Sequence, residues 1–533
     1  MTAKTEQIRN FIYKIGLCIA LCVGVFFLSQ LLIGSLYYRV FFVMDMREMP
    51  KFYHNSFLIV IEVAALSAVL IFAGRVLKRI PEKWLFLCFS ILYILAAVWL
   101  VFGTEPVVRA DPSMVMKYVG KFNEGDYSGF EKGFYMNMFP YQLGLLTYER
   151  FLSIFSISLR FYFFANLGMV LLSNFFQWRI ARELFDENET AVKYAILLSF
   201  MFLPMLFYIF WLYGQIPGLC FLLGAFWFLV RWLKERGHYN LALCALFAAV
   251  SYQMKMNYMI GTIAMALVLL LVFLKSGKLR NLAAIAVLFA AVLGMNFGVT
   301  AYYKHVSGYN FGVGTPYMSY LAMGLQESKS DRAPGWYNGY VWDLYIDNDS
   351  DSDVATQLSK EYIKQRVPEL LANPNYTFHF FREKIAAAWC DPLYQAVWSG
   401  PTPEEERDLT SDPVLRNIYR GGRLYEVIEA YMNALNVLIF AGALAFIFRK
   451  HVFRLSAKLY RQSESQPAGS IDADRSEAIW FYLIYFIGGF IFHGISEAKG
   501  QYSFMYVYCL IPYLAYMLSN AAMSLKPTAK KRS

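Results

Sequence analysis

The feature that most constrains this chain is the repetition of apolar runs about as long as a lipid bilayer is thick. An α-helix rises 1.5 Å per residue, so roughly 20 apolar residues span the hydrocarbon core. Twelve runs fit that pattern, although one of them, at 241–254, is short: residues 11–36, 56–77, 84–103, 159–178, 191–213, 216–233, 241–254, 258–274, 282–302, 427–448, 478–494 and 504–522. The sequence therefore predicts an all-α polytopic membrane protein of about 12 transmembrane helices.

Composition agrees with a membrane protein. Of the 533 residues, 58% are hydrophobic and only 17% are charged, which is less charge than a soluble chain carries. The net charge of +10 comes from Lys and Arg placed between apolar runs, so no nucleic-acid partner is expected. Only Cys390 of the seven cysteines lies in a polar loop, so no disulfide framework is expected. The first run is too long for a removable signal peptide and reads as a retained span.

The basic loops set the predicted orientation. Lys and Arg cluster in residues 4–14, 75–83, 179–182, 231–236, 275–280, 449–461 and 526–532. The positive-inside rule then places both termini in the cytoplasm, which requires an even number of spans. The segment 143–158 is interrupted by Glu149-Arg150, and counting it as a span would invert every later loop. We therefore interpret it as an interfacial or re-entrant helix, which places the loop 104–158 on the extracytoplasmic side of the cell membrane.

Four regions follow from this topology. Residues 1–83 form an N-terminal transmembrane hairpin, and 84–302 form a transmembrane core whose first outer loop is 104–158. Residues 303–426 form a small extracytoplasmic α subdomain, with helices predicted at 359–371 and 378–389. Residues 427–533 contain the C-terminal transmembrane helices. The alternating aspartates from 347 to 353 lack the glycine and the glutamate of a calcium loop, so they read as a solvated acidic loop.

The first outer loop carries the strongest candidate for a reaction centre. Asp111 precedes Pro112, and because proline disfavours helix for its predecessor, we expect the carboxylate on an irregular turn at the water interface. Residues 114–122 can form an amphipathic segment on the bilayer surface. Asp126 lies in a Gly-Asp-Tyr-Ser turn, and Pro140 precedes Tyr141 and Gln142 at the start of a new helix. The alternative is a solvated interfacial loop without chemistry.

Three further turns carry polar groups on the same predicted side. Gln215 follows Tyr213-Gly214 at the top of a hairpin of spans, where its amide would point outward or simply belong to a polar turn. Lys255 separates two short apolar runs, and such an ammonium either snorkels or meets an anion such as phosphate. The turn 493–502 contains Glu497, Lys499 and Tyr502 at the depth of Asp111, although a charged hairpin is ordinary.

These short motifs together resemble the GT-C membrane glycosyltransferases. The resemblance rests on the first-loop Asp, Gly-Asp-Tyr-Ser, Phe-Pro-Tyr-Gln, Met323-Gly324-Leu325, Gly335-Trp336-Tyr337-Asn338 and the pair Glu497…Tyr502. Within that superfamily the chain resembles the bacterial protein-mannosyltransferase-like members, which are family 39-like and depend on a polyprenyl-phosphate sugar. The resemblance covers roughly residues 84–522, and one departure is Gln501, where the family has an arginine.

The resemblance implies an inverting transfer from a polyprenyl-phosphate-linked sugar donor to a glycan, lipid or protein acceptor at the surface of the lipid bilayer. Asp111 would activate the acceptor hydroxyl as general base or orient it, and Lys255 and Lys499 would neutralise the departing phosphate. The remaining candidates for binding substrate are Asp126, Tyr141, Gln142, Gln215, Glu497 and Tyr502. No cofactor and no metal site are predicted, although some relatives use a divalent metal, which leaves Asp111 and Asp126 open as ligands.

Two other classes compete with the enzyme. A transporter or flippase for a lipid-linked glycan should bury ionisable groups near the bilayer midplane and contain inverted repeats. Here the charged candidates fall at the ends of apolar runs and the two halves of the chain do not match. A non-catalytic scaffold of envelope-polymer assembly would keep the same fold and is not separated from the enzyme by sequence.

Overall fold

The fold was analysed in a computed structural model, of which residues 3–42, 48–234, 237–328, 332–404, 407–460 and 477–524 are described. Almost all of these residues are helical. The helices, numbered along the chain, are α1 (Ala3–Tyr37), α2 (Leu58–Leu77), α3 (Glu82–Phe102), α4 (Ala110–Asn123), α5 (Tyr135–Met138), α6 (Leu143–Ser153), α7 (Leu159–Leu184), α8 (Glu189–Met201), α9 (Pro204–Phe207), α10 (Gln215–Leu233), α11 (Tyr239–Met254), α12 (Met259–Ser276), α13 (Arg280–Ser307), α14 (Tyr317–Gly324), α15 (Tyr340–Ile346), α16 (Ser352–Ala372), α17 (Pro374–Trp389), α18 (Pro413–Tyr419), α19 (Arg423–Tyr460), α20 (Phe481–Ile495) and α21 (Gly500–Ser524).

Within the described ranges, nine helices are long and apolar enough to cross a membrane: α1, α2, α3, α7, α10, α12, α13, α19 and α21. The helix α8 and the following segment Pro204–Phe210 form one bent unit, with an angle of 48° between its halves. The apolar helices α11 and α20 have 16 and 15 residues, fewer than a full crossing needs. The protein is thus an all-α multi-pass membrane protein, while the number of about 12 spans stays a prediction.

The break after α8 differs from the continuous run predicted over 191–213. The helix ends at Met201, and Pro204 opens the next short helix at a position where proline costs no hydrogen bond. The chain after it leaves the helical conformation at Trp211 and reaches Tyr213 by an irregular turn. This break places Tyr213 beside the candidate site described below instead of inside a straight span.

The interior of the bundle is formed by helices that are apolar on all sides. Helix α10 packs against α7 and α11, and α21 packs against α8 and α19. Helices α2 and α13 instead leave large apolar side chains such as Val69, Phe72, Leu293 and Phe297 exposed. Exposed apolar faces of this kind suit contact with lipid chains.

A short β-hairpin follows the first span, in the connection between the first two predicted spans. Strands β1 (Tyr38–Phe42) and β2 (Pro50–His54) pair antiparallel, with Tyr38 opposite His54. Aromatic residues favour strands, and the Val40 amide donates to the Cys390 carbonyl at 3.3 Å, which fastens the hairpin to the end of α17. Cys390 is buried, so its interpretation as an exposed loop cysteine is wrong.

The segment 303–426 contains the five helices α14 to α18. The predicted helices at 359–371 and 378–389 are present and begin earlier, at Ser352 and Pro374. Asp351, one of the alternating aspartates, caps α16 by accepting from two backbone amides. Helix α6, within the ambiguous segment 143–158, has 11 residues and is too short to cross a bilayer.

Several basic residues that were predicted to lie in cytoplasmic loops do not lie in a loop that the structure describes. Helix α19 continues without a break through Arg449 to Tyr460, where a cytoplasmic loop was predicted. Arg236, Arg461 and the basic residues of 526–532 lie outside the described residues.

Candidate functional site

Asp111 lies in the first turn of a helix, and the expectation of an irregular turn is wrong. Helix α4 begins at Ala110, whose φ of +53° places it in the left-handed region. Pro112 is tolerated there because the first amides of a helix have no intrahelical partner. The helix start is anchored by Arg109, whose guanidinium lies 4.9 Å from the Trp398 ring and donates to the Trp398 carbonyl.

The Asp111 carboxyl is closely surrounded by protein groups although it is not sealed from water. Its side chain is accessible to water, yet burial raises the pKa of Asp111 more than any other effect. Both observations hold for a group on the wall of a narrow, water-accessible recess. The charge of Lys499, a hydrogen bond with Tyr213 and the charge of Lys255 all lower this pKa and so favour the carboxylate. We call the space around Asp111, Tyr213 and Lys255 the Asp111 recess.

Lys255 enters the Asp111 recess from the turn after α11. Its ammonium lies 4.0 Å from the centre of the Tyr213 ring and 5.2 Å from that of Tyr502. In the described part of the chain no carboxylate lies within 4 Å of it. Burial lowers the pKa of Lys255 to about 7, although Asp111 and Glu497 oppose this shift. The site therefore contains a cation held by aromatic rings and left without an anionic partner in direct contact.

The close approach of the two turns depends on a glycine. Gly214 has φ +80°, and a Cβ at this position would lie 2.1 Å from the Met254 carbonyl oxygen. Any larger residue would push the Tyr213 turn away from the turn that holds Lys255.

Lys499 has the opposite environment, because it is fully paired. It lies in the turn 496–499 between α20 and α21, and its ammonium is 2.9 Å from Glu48 and 3.6 Å from Glu497. All three side chains are buried. Burial works against the charge of Lys499, but the two glutamates raise its pKa. Burial raises the pKa of Glu497, and Lys499 opposes that shift.

Gln395 hydrogen-bonds both to Glu48 and to the backbone just after the turn 496–499. The Gln395 amide nitrogen donates to Glu48 at 3.0 Å, and its oxygen accepts from the Gln501 backbone amide at 3.1 Å. Gln395 has φ +62°, a conformation rare for residues other than glycine. Buried Asp391 stabilises it by accepting the Gln395 and Leu393 amides. Together these hydrogen bonds fix the position of Lys499.

Phenol and amide groups complete the recess. Gln142 donates to the Tyr213 hydroxyl at 2.7 Å, and the Tyr141 and Tyr320 hydroxyls are 2.8 Å apart. The Tyr502 ring is stacked on His493, with centroids 5.4 Å apart. The wall beside Asp111 is therefore rich in groups that hydrogen-bond hydroxyls.

Two residues predicted to bind substrate lie elsewhere or point elsewhere. Gln215 is fully buried, and its side-chain amide lies 3.3 Å from the Gln501 side-chain oxygen, so its predicted outward orientation is wrong. Asp126 lies in a surface turn, 2.8 Å from Lys121, and it accepts the Ser128 amide at 2.9 Å. Asp126 is not among the charges that act on Asp111.

The motif residues of the long loop surround the turn 496–499. A Cβ on Gly324 would lie 2.5 Å from the Ser496 carbonyl carbon, so this glycine permits contact between α14 and the turn. The Lys499 ammonium lies 5.9 Å from the Trp336 ring and 5.4 Å from the Tyr337 ring. Both motifs therefore support the same end of the site.

Sequence reasoning missed Glu48, Gln395 and Tyr320. Each is a single polar residue in a segment without a recognisable motif, so no local pattern distinguishes it. Of the candidates it named, Asp111, Tyr141, Gln142, Lys255, Glu497, Lys499 and Tyr502 are brought together by the fold. Among the described residues, no three His, Cys, Asp or Glu side chains are grouped as metal ligands are.

The fold and the recess define a multi-pass helical membrane protein with a polar, charged site close to the ends of its apolar helices. The sequence matches no protein-family model, and no curated protein is significantly similar to it.

Proposed function

We propose that this protein is a membrane glycosyltransferase of the GT-C type that moves a sugar from a polyprenyl-phosphate carrier to a glycan, lipid or protein acceptor. The observation that carries the proposal is the convergence of Asp111, Lys255 and Lys499, which are far apart in sequence, on one recess. In this proposal both termini are cytoplasmic and the recess opens on the extracytoplasmic side.

Lys255 is the group we assign to the donor phosphate. A partly buried ammonium that touches no carboxylate of the described residues is poised to bind an anion, and a phosphate would restore its full charge. Its aromatic neighbours Tyr213 and Tyr502 hold it in place without neutralising it. When the phosphate leaves the sugar, its growing negative charge is stabilised by this ammonium.

Asp111 is the group we assign to the acceptor. Its hydrogen bond with Tyr213 and the field of the two lysines keep the carboxylate available as a base despite burial. The acceptor oxygen attacks the anomeric carbon as the bond from that carbon to the phosphate oxygen breaks. The acceptor proton passes to Asp111, the polyprenyl phosphate departs, and the anomeric configuration is inverted.

Lys499 has a different task in this proposal. Because Glu48 and Glu497 already neutralise it, it holds the turn 496–499 and its neighbour Tyr502 in position instead of binding the phosphate itself. Tyr141, Gln142 and Tyr502 then bind sugar hydroxyls around the reacting centre. This division of roles between Lys255 and Lys499 explains why Gln501 can replace the arginine that GT-C enzymes have at this position.

A transporter is less well supported by the position of the charges. Asp111 lies in α4, which is not a candidate span, while Lys255 and Lys499 lie in turns just outside apolar helices. A translocation pathway would instead need ionisable groups along the middle of its spans.

The test is a single-turnover assay with the full-length protein in nanodiscs. Polyprenyl-phosphate hexoses are supplied with a crude envelope-glycan acceptor, and released polyprenyl phosphate is measured by mass spectrometry. We expect release with at least one donor, and none from the Asp111→Asn protein. If a folded wild-type protein binds these donors but releases no polyprenyl phosphate with any acceptor, the glycosyltransferase assignment is wrong. Donor movement between leaflets in vesicles would then indicate the flippase.

A further inference from the structure

A second polar pocket lies away from the Asp111 recess, where the ends of two candidate spans meet the loop 407–412. It has a volume of about 470 Å³. Its lining combines the end of α3 and the residues that follow it, the first turn of α7, the loop before α18 and α18 itself: Phe102, Gly103, Thr104, Glu105, Pro106, Arg160, Asp408, Leu409, Thr410, Ser411 and Arg416. No part of the proposed reaction uses it.

The charges of this pocket leave one cation without an anionic partner. Glu105 is paired with Arg407 at 3.0 Å, and Asp408 is paired with Arg416 at 3.1 Å and also with Arg420. Arg160 contacts no carboxylate in the part of the chain that the structure describes. Both acids are thus neutralised within the protein, and the free charge of the pocket is positive.

Arg160 is oriented by an apolar contact and not by a hydrogen bond. Its guanidinium lies 5.4 Å from the centre of the Phe102 ring, and its buried Nε has no hydrogen-bond partner among the described residues. A buried donor left unsatisfied is costly, so the Arg160 Nε would be stabilised by a ligand that accepts its hydrogen. Guanidinium groups hold phosphate oxygens by paired, charge-assisted hydrogen bonds.

The position of the pocket identifies the level at which a ligand would bind. Phe102 ends α3, Arg160 lies in the first turn of α7, and both helices are candidate spans. The Phe102 side chain is largely exposed, as expected of a residue that faces lipid chains. The pocket therefore lies where an apolar span meets the headgroup layer.

We propose that this pocket is a phosphate-anion site in which Arg160 binds a phosphate group, either the headgroup of an anionic phospholipid or a free phosphate. The inference is independent of the glycosyltransferase assignment, since it uses none of the residues of the Asp111 recess.

The experiment compares hydrogen exchange of the full-length protein in two kinds of nanodisc. Discs of pure phosphatidylcholine are compared with discs that also contain phosphatidylglycerol, and inorganic phosphate is added to the former in a separate arm. Slower exchange of 102–106 and 408–411 with phosphatidylglycerol alone indicates the lipid headgroup, and slower exchange with inorganic phosphate indicates a free anion. No change in either arm overturns the proposal.

Variants sharpen the result. Arg160→Gln should reduce the retention of phosphatidylglycerol in native mass spectrometry by roughly tenfold or more, and Arg160→Lys should retain part of it. The control Lys364→Gln removes the same charge from an exposed position on α16, and it should leave retention unchanged. Equal retention by wild type and Arg160→Gln would overturn the proposal. If Arg160→Gln does not fold, the wild-type comparison of the two kinds of disc decides.

Discussion

The two ends of helix α4 present the same chemical group in opposite environments. At its start, Asp111 lies on the wall of an enclosed recess, and burial raises the pKa of its carboxyl. Just past its end, Asp126 lies in a surface turn, where Lys121 and Ser128 lower the pKa of its carboxyl. The first acid meets its lysines across a recess, while the second touches its lysine directly at 2.8 Å.

This difference shows which acid is available for chemistry. A carboxylate satisfied by a neighbouring ammonium and a backbone amide is stabilised as it is and gains little from a substrate. A partly desolvated carboxylate with two lysines nearby is a functional-site candidate, because its proton affinity is tuned towards transfer. The same contrast separates Lys255, which has no acidic contact among the described residues, from Lys499, which has two.

The largest expected effect tests this contrast directly. Asp111→Asn keeps the shape of the side chain but accepts no proton, so turnover should fall by about 10²- to 10⁴-fold. Asp126→Asn should leave turnover within about twofold, since a surface substitution rarely changes more than its own contacts. Release of polyprenyl phosphate in nanodiscs measures both. Equal losses in the two variants would contradict the distinction drawn between the two acids.

The next effect concerns the unpaired lysine. Lys255→Gln removes the ammonium facing the donor phosphate and should raise the donor KM roughly 10- to 100-fold, as expected for one lost charge-assisted hydrogen bond. The acceptor KM should change little. Lys121→Gln, at the other end of α4, is the matched control and should leave both constants unchanged. An unaltered donor KM in the Lys255→Gln protein would show that Lys255 only packs against aromatic rings and does not bind the donor phosphate.

A smaller effect is expected on stability. Glu48→Gln keeps the hydrogen bond to Gln395 in shape but removes one of the two charges that pair with Lys499, so unfolding should become easier by about 1–2 kcal/mol. Thermal unfolding in detergent measures this, and exposed Glu124→Gln at the end of α4 is the control. An unchanged melting temperature would show that Glu497 alone satisfies Lys499.

The smallest effect is a pH dependence of donor binding. The pKa of Lys255 is lowered to about 7, and only its ammonium form binds phosphate. Donor affinity should therefore be highest below pH 7 and fall as the pH rises through 7, by about tenfold between pH 6 and pH 8. The Lys255→Gln protein should lack this slope. A similar slope in both proteins would assign the titration to another group.

The candidate residues show how much of the site can be predicted from local sequence patterns. Asp111, Lys255, Glu497 and Tyr502 were identified because each follows the end of an apolar run, and helix ends can be located from hydropathy alone. Gln215 was placed correctly in its turn, but its orientation was predicted wrongly, because burial depends on what packs over the turn.

The sequence by itself determined the helical membrane class, since a span of apolar residues needs no distant partner to form in lipid. It did not determine that Pro112 would lie inside the first turn of α4, because the left-handed Ala110 before it depends on how Arg109 is anchored on Trp398. It did not reveal Glu48 at all. The pairing of Glu48 with Lys499 joins residues 451 positions apart, and it forms where the β-hairpin packs against the end of α17 and Gln395 binds Glu48. Contacts over such separations leave no local period in the chain, so tertiary structure alone decided which lysine is neutralised and which is left for a ligand.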